Sequence, residues 1–159
     1  MELESKKLQI RSIYQDEYED VMGIVWKTFL RFEAEDYTEE GIKSFQDFIT
    51  DPTLYKMFLR GYYQIFGAFY KGKNIGMISL RDCTHISLLF VDARYHYQGV
   101  GRALMEYLKK YLITEMGEFK VTVNSSPYGV GFYHKLGFQD TDKEQEKEGV
   151  RYTPMILFL

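Results

Sequence analysis

The chain has 159 residues, of which 45% are hydrophobic and 17% aromatic, and this composition favours one folded domain over a disordered chain. The formal net charge of -3, without a long run of Lys or Arg, argues against a nucleic-acid partner, so any anionic ligand must be bound by a local site. The single cysteine, Cys83, excludes an internal disulfide framework and a metal site with several cysteines, and we predict no metal.

The first segment in chain order, residues 1–7, is charged and precedes no long apolar run, so it does not resemble a signal peptide. No later window is apolar for long enough to span a bilayer. We therefore expect a cytoplasmic protein without a membrane partner.

The N-terminal part is predicted to hold one strand and two or three helices. Residues 8–13 alternate weakly, as a strand does, and residues 17–32 carry apolar side chains at helical spacing. Thr38, followed by two glutamates, is typical of an N-cap, and it predicts a second helix through about residue 49. Residues 53–59 fit one more short helical turn.

The middle of the chain changes to strand patterning. Residues 62–70 and 75–81 predict a hairpin, because the turn residues Lys-Gly-Lys-Asn separate them. Residues 84–91 are nearly all apolar towards their end, which indicates a strand covered on both faces. Residues 99–116 carry the most regular apolar stripe and predict a helix, which is expected to end at Gly117.

The last part predicts a strand at 119–124, a short helix at 129–136 and a final strand at 152–159, with one further strand before it. The strand at 84–91, the helix at 99–116 and the strand at 119–124 form a βαβ unit, so we expect those two strands to be parallel. No repeat or linker interrupts the chain, and we predict a single α/β domain over residues 1–159.

One stretch, YHYQGVGRAL at residues 95–104, points to a ligand. Gly99 and Gly101 open a helix, where unpaired amides and the missing Cβ atoms allow a phosphate oxygen to approach. A Walker loop needs Gly-Lys-Ser/Thr where this chain has Arg102 and Ala103, and a dinucleotide fingerprint needs a glycine where it has Leu104. The alternative that the glycines only permit close helix–sheet packing stays open on this pattern alone.

Two longer stretches carry a family resemblance. ISLLFVDARYHYQGVGRALMEYL resembles the coenzyme A-binding motif of the GNAT N-acetyltransferase superfamily, and VNSSPYGVGFYHKLGF resembles its second motif, which ends in F-Y-x-K-L-G-F. The resemblance covers residues 62–159. Before residue 62, only the predicted helices match the family. It implies an α/β (α+β) single domain with a mixed, mostly antiparallel twisted sheet of about six to seven strands, a central splayed parallel pair and helices on both faces.

The resemblance also implies acetyl-CoA as cofactor. Backbone groups at the end of the first splayed strand bind the pantetheine arm in the family, and amides of the glycine-containing loop bind the pyrophosphate. Family members usually have Gln or Arg in place of His96 and often Gly in place of Tyr97, so the first half of this loop can differ in shape. The implied cofactor-binding residues are Leu89, Phe90, Val91, His96, Tyr97, Gln98, Gly99, Val100, Gly101, Arg102 and Asn124.

The implied reaction is attack of an amine on the acetyl thioester. Tyr133 matches the family tyrosine that protonates the departing thiolate, with a core position as the alternative. A lysine-like amine has a pKa of about 10.4, so a base is expected, and an imidazole with a pKa of about 6.5 suits the task. His85 is the leading candidate, with Asp82, Glu33 or a water chain in reserve, and capping of the hairpin is its alternative role.

The N-terminal helices, the hairpin and the late loop are expected to form the acceptor site. Glu33 and Asp36 are placed to attract a cationic amine, and aromatic candidates for its walls are Trp26, Phe29, Phe32, Tyr37 and Tyr128. We predict an acetyl-CoA-dependent N-acetyltransferase acting on a primary amine of a small molecule or peptide. A non-catalytic acyl-CoA-binding or regulatory module on the same fold is the alternative, and a homodimer is left open.

Overall fold

The computed structural model describes residues 3–159; Met1 and Glu2, part of the charged first segment, lie outside the described residues. The strands are β1 (Leu8–Ser12), β2 (Gln64–Tyr70), β3 (Lys73–Arg81), β4 (His85–Val91), β5 (Lys120–Ser125), β6 (Gln139–Asp140), β7 (Gln145–Lys147) and β8 (Val150–Phe158). The helices are α1 (Tyr18–Phe32), α2 (Glu39–Ile49), α3 (Pro52–Leu59), α4 (Val100–Thr114) and α5 (Val130–Lys135).

The sheet has the strand order β1-β2-β3-β4-β5-β8-β6, and β7 pairs with β8. Within residues 3–159, only β4 and β5 pair in parallel, and every other pairing is antiparallel. The predicted mixed sheet with one central parallel pair is therefore confirmed, as is the βαβ unit formed by β4, α4 and β5. The described part of the chain forms eight strands, more than the six or seven expected, because β6 and β7 are too short to show a period-two pattern.

Local sequence signals start the helices of the N-terminal part. The Thr38 side chain accepts a hydrogen bond from the amide of Gly41 at 3.1 Å and so caps α2. The Asp51 carboxylate accepts one from the amide of Thr53 at 2.8 Å and caps α3, whose first residue, Pro52, needs no hydrogen-bond partner for an amide. Each cap gives a backbone amide at the helix start a hydrogen-bond acceptor that water would otherwise have to supply.

The sheet has helices on both faces, as expected. The buried stripe of α4 packs on one face with Val100, Leu104, Met105, Leu108 and Leu112. Its counterpart on the other face is the stripe of α1, with Val21, Met22, Val25 and Phe29. Full burial stabilises each such side chain by about 1.5–3 kcal/mol, so the two stripes fix both helices firmly against the sheet. No helix within residues 3–159 is long and apolar enough to cross a membrane.

Candidate active site

The central feature of the sheet is a gap between β4 and β5. The two strands pair only through His85 with Thr122 and Ile86 with Val123. Ser87 is an extra residue in β4, because Leu80 of β3 pairs with Ile86 while the adjacent Ser79 pairs with Leu88. Such a bulge bends a strand and ends regular pairing. The remaining length of β4, towards Val91, therefore borders an open gap.

The register of β4 shows which of its backbone groups border this gap. The amide of Asp92 donates to the carbonyl of Ile75 at 2.8 Å, so this pair is a hydrogen-bonded pair of the antiparallel ladder. Such pairs alternate along two antiparallel strands, so Phe90 uses its backbone groups towards β3. Leu89 and Val91 then direct their N–H and C=O groups into the gap. Two of the three predicted pantetheine-binding residues thus have backbone groups on a strand edge that β5 leaves unpaired, and the third does not.

The residues after β4 form a loop and the start of α4, which we call the glycine loop (residues 96–102). Gly99 is the N-cap and has a φ of 85°, a conformation that favours glycine. The first intrahelical bond runs from the amide of Ala103 to the carbonyl of Gly99 at 2.9 Å. The three preceding amides, at residues 100–102, therefore point out of the helix end, as an anion-binding site requires.

The glycine loop also contains a buried acceptor without a partner. Among residues 3–159, no hydrogen-bond donor reaches the buried side-chain oxygen of Gln98, although its amide nitrogen donates to the carbonyl of Arg94 at 3.1 Å. Together with the outward amides, this atom fits a loop that completes its hydrogen bonds with a ligand carrying both phosphates and hydroxyl or amide donors.

The two glycines of the loop have different roles. A Cβ on Gly99 would meet open space, so only the positive φ requires glycine there. A Cβ on Gly101 would lie 3.2 Å from the Phe132 ring of α5, so this glycine permits close packing of α4 against α5. The packing interpretation left open by the sequence therefore applies to Gly101. Tyr97 is fully exposed and holds a φ of 60°, which is strained for a tyrosine.

His96 connects the glycine loop to β4 and to α1. Its Nε2–H donates to the carbonyl oxygen of Val91 at 2.6 Å. The imidazole ring packs on Phe32, the last residue of α1, with 4.7 Å between ring centroids, and Phe32 packs on Tyr128 at 5.3 Å. We call these three rings the ring bridge. No sequence pattern predicts it, because its members lie on three separate segments.

Glu33 caps α1 at its C-terminal end, directly beside the ring bridge. Burial raises the pKa of its carboxyl group from 4.5 to about 7, and Asp36 adds to this effect, whereas a hydrogen bond with Ser126 opposes it. Burial raises the pKa of Tyr37, Tyr128 and Tyr133, and the charge of Glu33 raises the pKa of each hydroxyl further. Of the candidate bases, Glu33 is the one whose charge acts on the pKa of the predicted catalytic tyrosine.

Tyr133 lies on α5 with only 6% of its surface exposed. Its ring packs edge-on against Phe132 at 5.3 Å and Phe138 at 5.2 Å. Burial, and then the charge of Glu33, raise the pKa of its hydroxyl well above the ordinary value of 10. The hydroxyl is therefore protonated at neutral pH, as a proton donor must be.

His85 lies at the closed end of the gap. Its Nδ1 is 2.8 Å from the hydroxyl oxygen of Thr122, across the only pairing of β4 with β5. Burial lowers the pKa of the imidazole, and the charge of Arg81 lowers it further. Val91 is six residues away, or about 20 Å along an extended strand, so His85 is remote from the ring bridge. Asp82 is exposed in the adjacent turn and pairs with Arg81 at 3.7 Å.

The residues that follow the paired part of β5 line the other side of the gap. Asn124 is exposed and is the first residue beyond the pairing with β4. Ser125 is buried and donates its hydroxyl to the carbonyl of Ser126 at 2.9 Å. The Ser126 hydroxyl accepts from the amide of Gly129 at 3.2 Å, which fixes the turn that presents Tyr128. Asn124 and Ser126 therefore border the gap opposite Leu89 and Val91.

The five aromatic candidates for the acceptor-site walls lie in three different places. Phe32, Tyr37 and Tyr128 surround Glu33. Phe29 is fully buried and stacks on Phe45 at 4.0 Å, so it belongs to the core. Trp26 lines a separate groove of about 1040 Å³ between α1 and the α2–α3 corner. Only the first group is in position to contact a molecule at the gap.

A family model described as an acetyltransferase (GNAT) domain matches residues 33–159. Solved structures share the fold at low sequence identity. A GCN5-related N-acetyltransferase structure from Rhodopseudomonas palustris superposes with a TM-score of 0.83 at 23% identity, covering 100% of this chain and 99% of that chain. The paia N-acetyltransferase from Thermoplasma acidophilum, in complex with coenzyme A, gives 0.80 at 19% identity, covering 96% and 99%.

A third structure, a spermidine N-acetyltransferase variant from Vibrio cholerae, superposes with a TM-score of 0.68 at 14% identity and covers 96% of this chain and 94% of its own. At these identities the three structures show a common fold. The three matches cover 96–100% of this chain, so the fold they share extends beyond the two motif regions to the N-terminal helices.

Proposed function

This chain belongs to the GNAT acetyltransferase family, as its two motifs predicted, and we propose that it transfers an acetyl group from acetyl-CoA to a primary amine of a small molecule or peptide. One observation carries the proposal. The backbone edge at Leu89 and Val91 borders a gap that ends at the outward amides of α4. An extended arm attached to a pyrophosphate fits this arrangement, because the arm pairs with the strand while the phosphates meet the helix start.

Acetyl-CoA supplies the activated acetyl thioester. The chain holds it through the backbone of Leu89 and Val91 and through the amides at residues 100–102, with Asn124 on the opposite side of the gap. Arg102 is exposed on the first turn of α4 and adds a positive charge near the same amides. The backbone N–H groups that face the gap are also suited to donate to a carbonyl oxygen as it gains negative charge.

We assign the role of general base to Glu33. An alkyl amine with a pKa of about 10.4 is protonated at neutral pH and must lose a proton to attack a thioester. A carboxylate with a pKa of about 7 accepts that proton better than an ordinary glutamate does. The effect of the Glu33 charge on the pKa of the Tyr133 hydroxyl supports this role. The alternative base, His85, is separated from these groups by most of β4.

Tyr133 is the proposed acid. Its hydroxyl stays protonated at neutral pH because burial and the Glu33 charge raise its pKa. A base and an acid beside each other match the two proton transfers of the reaction, since one proton leaves the amine and one reaches the sulfur. Glu33 and Asp36 attract a cationic acceptor, and the rings of Tyr37 and Tyr128 offer it aromatic faces.

Acetyl-CoA consumption in the presence of amines tests the proposal. Polyamines, aminoglycosides, amino acids and peptides form the panel, and spermidine is an early choice because one structural neighbour is named for it. We expect release of free thiol with at least one amine and a product heavier by one acetyl group. Coenzyme A binding without turnover of any amine would favour a binding module, and absence of coenzyme A binding would contradict the proposal altogether.

A further inference from the structure

We propose that His96 is a positioning residue that ties the cofactor-binding side of the site to its acceptor side. The inference rests on the function proposed above and concerns one of the two residues at which the glycine loop departs from the family pattern. Its imidazole makes two contacts of different kinds. One nitrogen donates to the carbonyl of Val91 at 2.6 Å, and the ring packs on Phe32 with 4.7 Å between centroids.

The contact with Val91 acts on the strand edge that borders the gap. Val91 directs its carbonyl into the gap, and a carbonyl oxygen can accept two hydrogen bonds. The bond from His96 therefore leaves one acceptor position for a ligand and holds the carbonyl in a fixed orientation. A donor lost at residue 96 would loosen the last part of β4 and the start of the glycine loop together.

The contact with Phe32 acts on the acceptor side. Phe32 is the last residue of α1, and Glu33, the proposed base, follows it directly. Phe32 also packs on Tyr128, whose turn is fixed by Ser126, so the ring bridge crosses from the segment after β4 to the segment after β5. Movement of the His96 ring would therefore move Phe32 and, with it, the backbone that carries Glu33.

Two variants of His96 separate these contacts. His96→Gln keeps an N–H donor for Val91 and removes the ring, whereas His96→Phe keeps a ring for Phe32 and removes the donor. We expect His96→Gln to raise the acceptor KM about three- to tenfold, with the acetyl-CoA KM within about twofold of wild type. We expect His96→Phe to raise the acetyl-CoA KM about three- to tenfold, with the acceptor KM within about twofold of wild type.

Phe32→Leu is the matched variant on the other side of the ring contact. It should raise the acceptor KM at least as much as His96→Gln does, because it also removes the contact with Tyr128. The double variant should be no worse than Phe32→Leu alone, because both substitutions remove the same His96–Phe32 ring pair. Equal increases of both KM values in both His96 variants, or additive effects of His96→Gln and Phe32→Leu, would overturn the inference. Thermal melting of each variant identifies a general loss of folding.

Hydrogen exchange gives a readout that needs no turnover. We expect coenzyme A to slow exchange at the amides of Glu33, Asp36 and Tyr37 about threefold or more in wild type, and to lose this effect in His96→Gln. These amides donate to the backbone carbonyls of Phe29, Glu33 and Ala34, at and just after the end of α1. Normal slowing in His96→Gln would overturn the inference alone, whereas no binding of coenzyme A by wild type would overturn both the inference and the proposed function.

Discussion

The Nδ1 of His85 lies 2.8 Å from the hydroxyl oxygen of Thr122, and this contact joins β4 to β5 at the only place where the two strands pair. Side-chain hydrogen bonds between partly buried groups contribute about 1 kcal/mol to stability. Because the strands separate beyond Ile86 and Val123, this contact helps to set where the gap begins. We therefore propose that His85 stabilises the paired end of the two strands.

Replacement of His85 by Ala should therefore affect stability more than catalysis. We expect the free energy of unfolding to fall by about 1–2 kcal/mol and kcat to change less than about threefold. Urea denaturation and steady-state kinetics measure the two effects. Thr122→Val removes the same contact from the other strand and serves as the control. A loss of kcat of about a hundredfold in a folded His85→Ala protein would instead identify His85 as the base.

Glu33→Gln should lower kcat by about 10²–10⁴-fold, because the amide cannot accept the amine proton. The pH dependence gives the second test. A base works only when deprotonated, so kcat/KM of wild type should rise with pH through about 7, where Glu33 ionises. Ionisation of the acceptor amine gives a further rise at higher pH in both proteins. A rise through pH 7 that persists in Glu33→Gln would assign that step to another group.

The same substitution should stabilise the protein above neutral pH. The folded-state pKa of Glu33 is raised from 4.5 to about 7. Below pH 4.5 the group is protonated in both the folded and the unfolded state, so its ionisation does not change the free energy of unfolding there. As pH rises from 4.5 to 7, the unfolded state loses its proton first, and the folded state becomes less stable by up to about 3 kcal/mol. Glu33→Gln removes this penalty.

Urea denaturation at pH 4.5, 6 and 8 measures the difference. We expect Glu33→Gln and wild type to be nearly equal at pH 4.5 and the variant to be clearly more stable at pH 8. Glu35→Gln is the control, since Glu35 lies two residues further along the chain and its side chain is exposed. A variant that is less stable than wild type at pH 8 would mean that the Glu33 carboxylate is stabilised by its neighbours, in contrast to the burial found here.

The sequence predicted the framework of the site better than its chemistry. Helical spacing and caps located α1 to α5, and the two family motifs indicated the glycine loop and Tyr133 as candidate site residues. The roles of Leu89, Phe90 and Val91 could not be separated by pattern, because all three are apolar strand residues. Their difference follows from the register with β3 and the extra residue at Ser87, which only pairing reveals.

The choice of base shows a second limit. The sequence favours His85 as the base, because an ordinary imidazole titrates near neutrality and an ordinary glutamate does not. The raised pKa of Glu33 arises from burial between α1 and the turn at Ser126, which are distant in sequence. Local pattern carries no information about that burial. The His96 contacts were missed for the same reason, since Phe32 and Val91 meet it only in the folded chain.

Tyr133→Phe keeps the ring packing against Phe132 and Phe138 and removes only the hydroxyl. If Tyr133 protonates the sulfur, kcat should fall by about 10–10³-fold, while the affinity for coenzyme A and the melting temperature change little. Tyr128→Phe is the matched control, because its ring also lies near Glu33 but its side chain is largely exposed. Equal small losses in both variants would remove Tyr133 from the role of acid.

Gly99 and Gly117 allow a direct test of the phosphate-binding end of α4. Gly99, at the N-cap, has a φ of 85°, Gly117, just beyond the C-terminal end of α4, has a φ of 64°, and a Cβ at either would meet no atom within 4 Å. Alanine at each position therefore costs backbone strain of about 1–2 kcal/mol without a steric clash. Both variants should lose similar stability in urea denaturation.

Gly99→Ala and Gly117→Ala should differ in their affinity for coenzyme A. At Gly99 the strain is relieved by movement of the amides at residues 100–102, so the dissociation constant measured by calorimetry should rise about tenfold or more in Gly99→Ala. Gly117→Ala leaves those amides in place and should bind coenzyme A as wild type does. Equal affinities in the two variants would show that the pyrophosphate is bound elsewhere, because a helix start that holds an anion cannot be displaced without loss of binding.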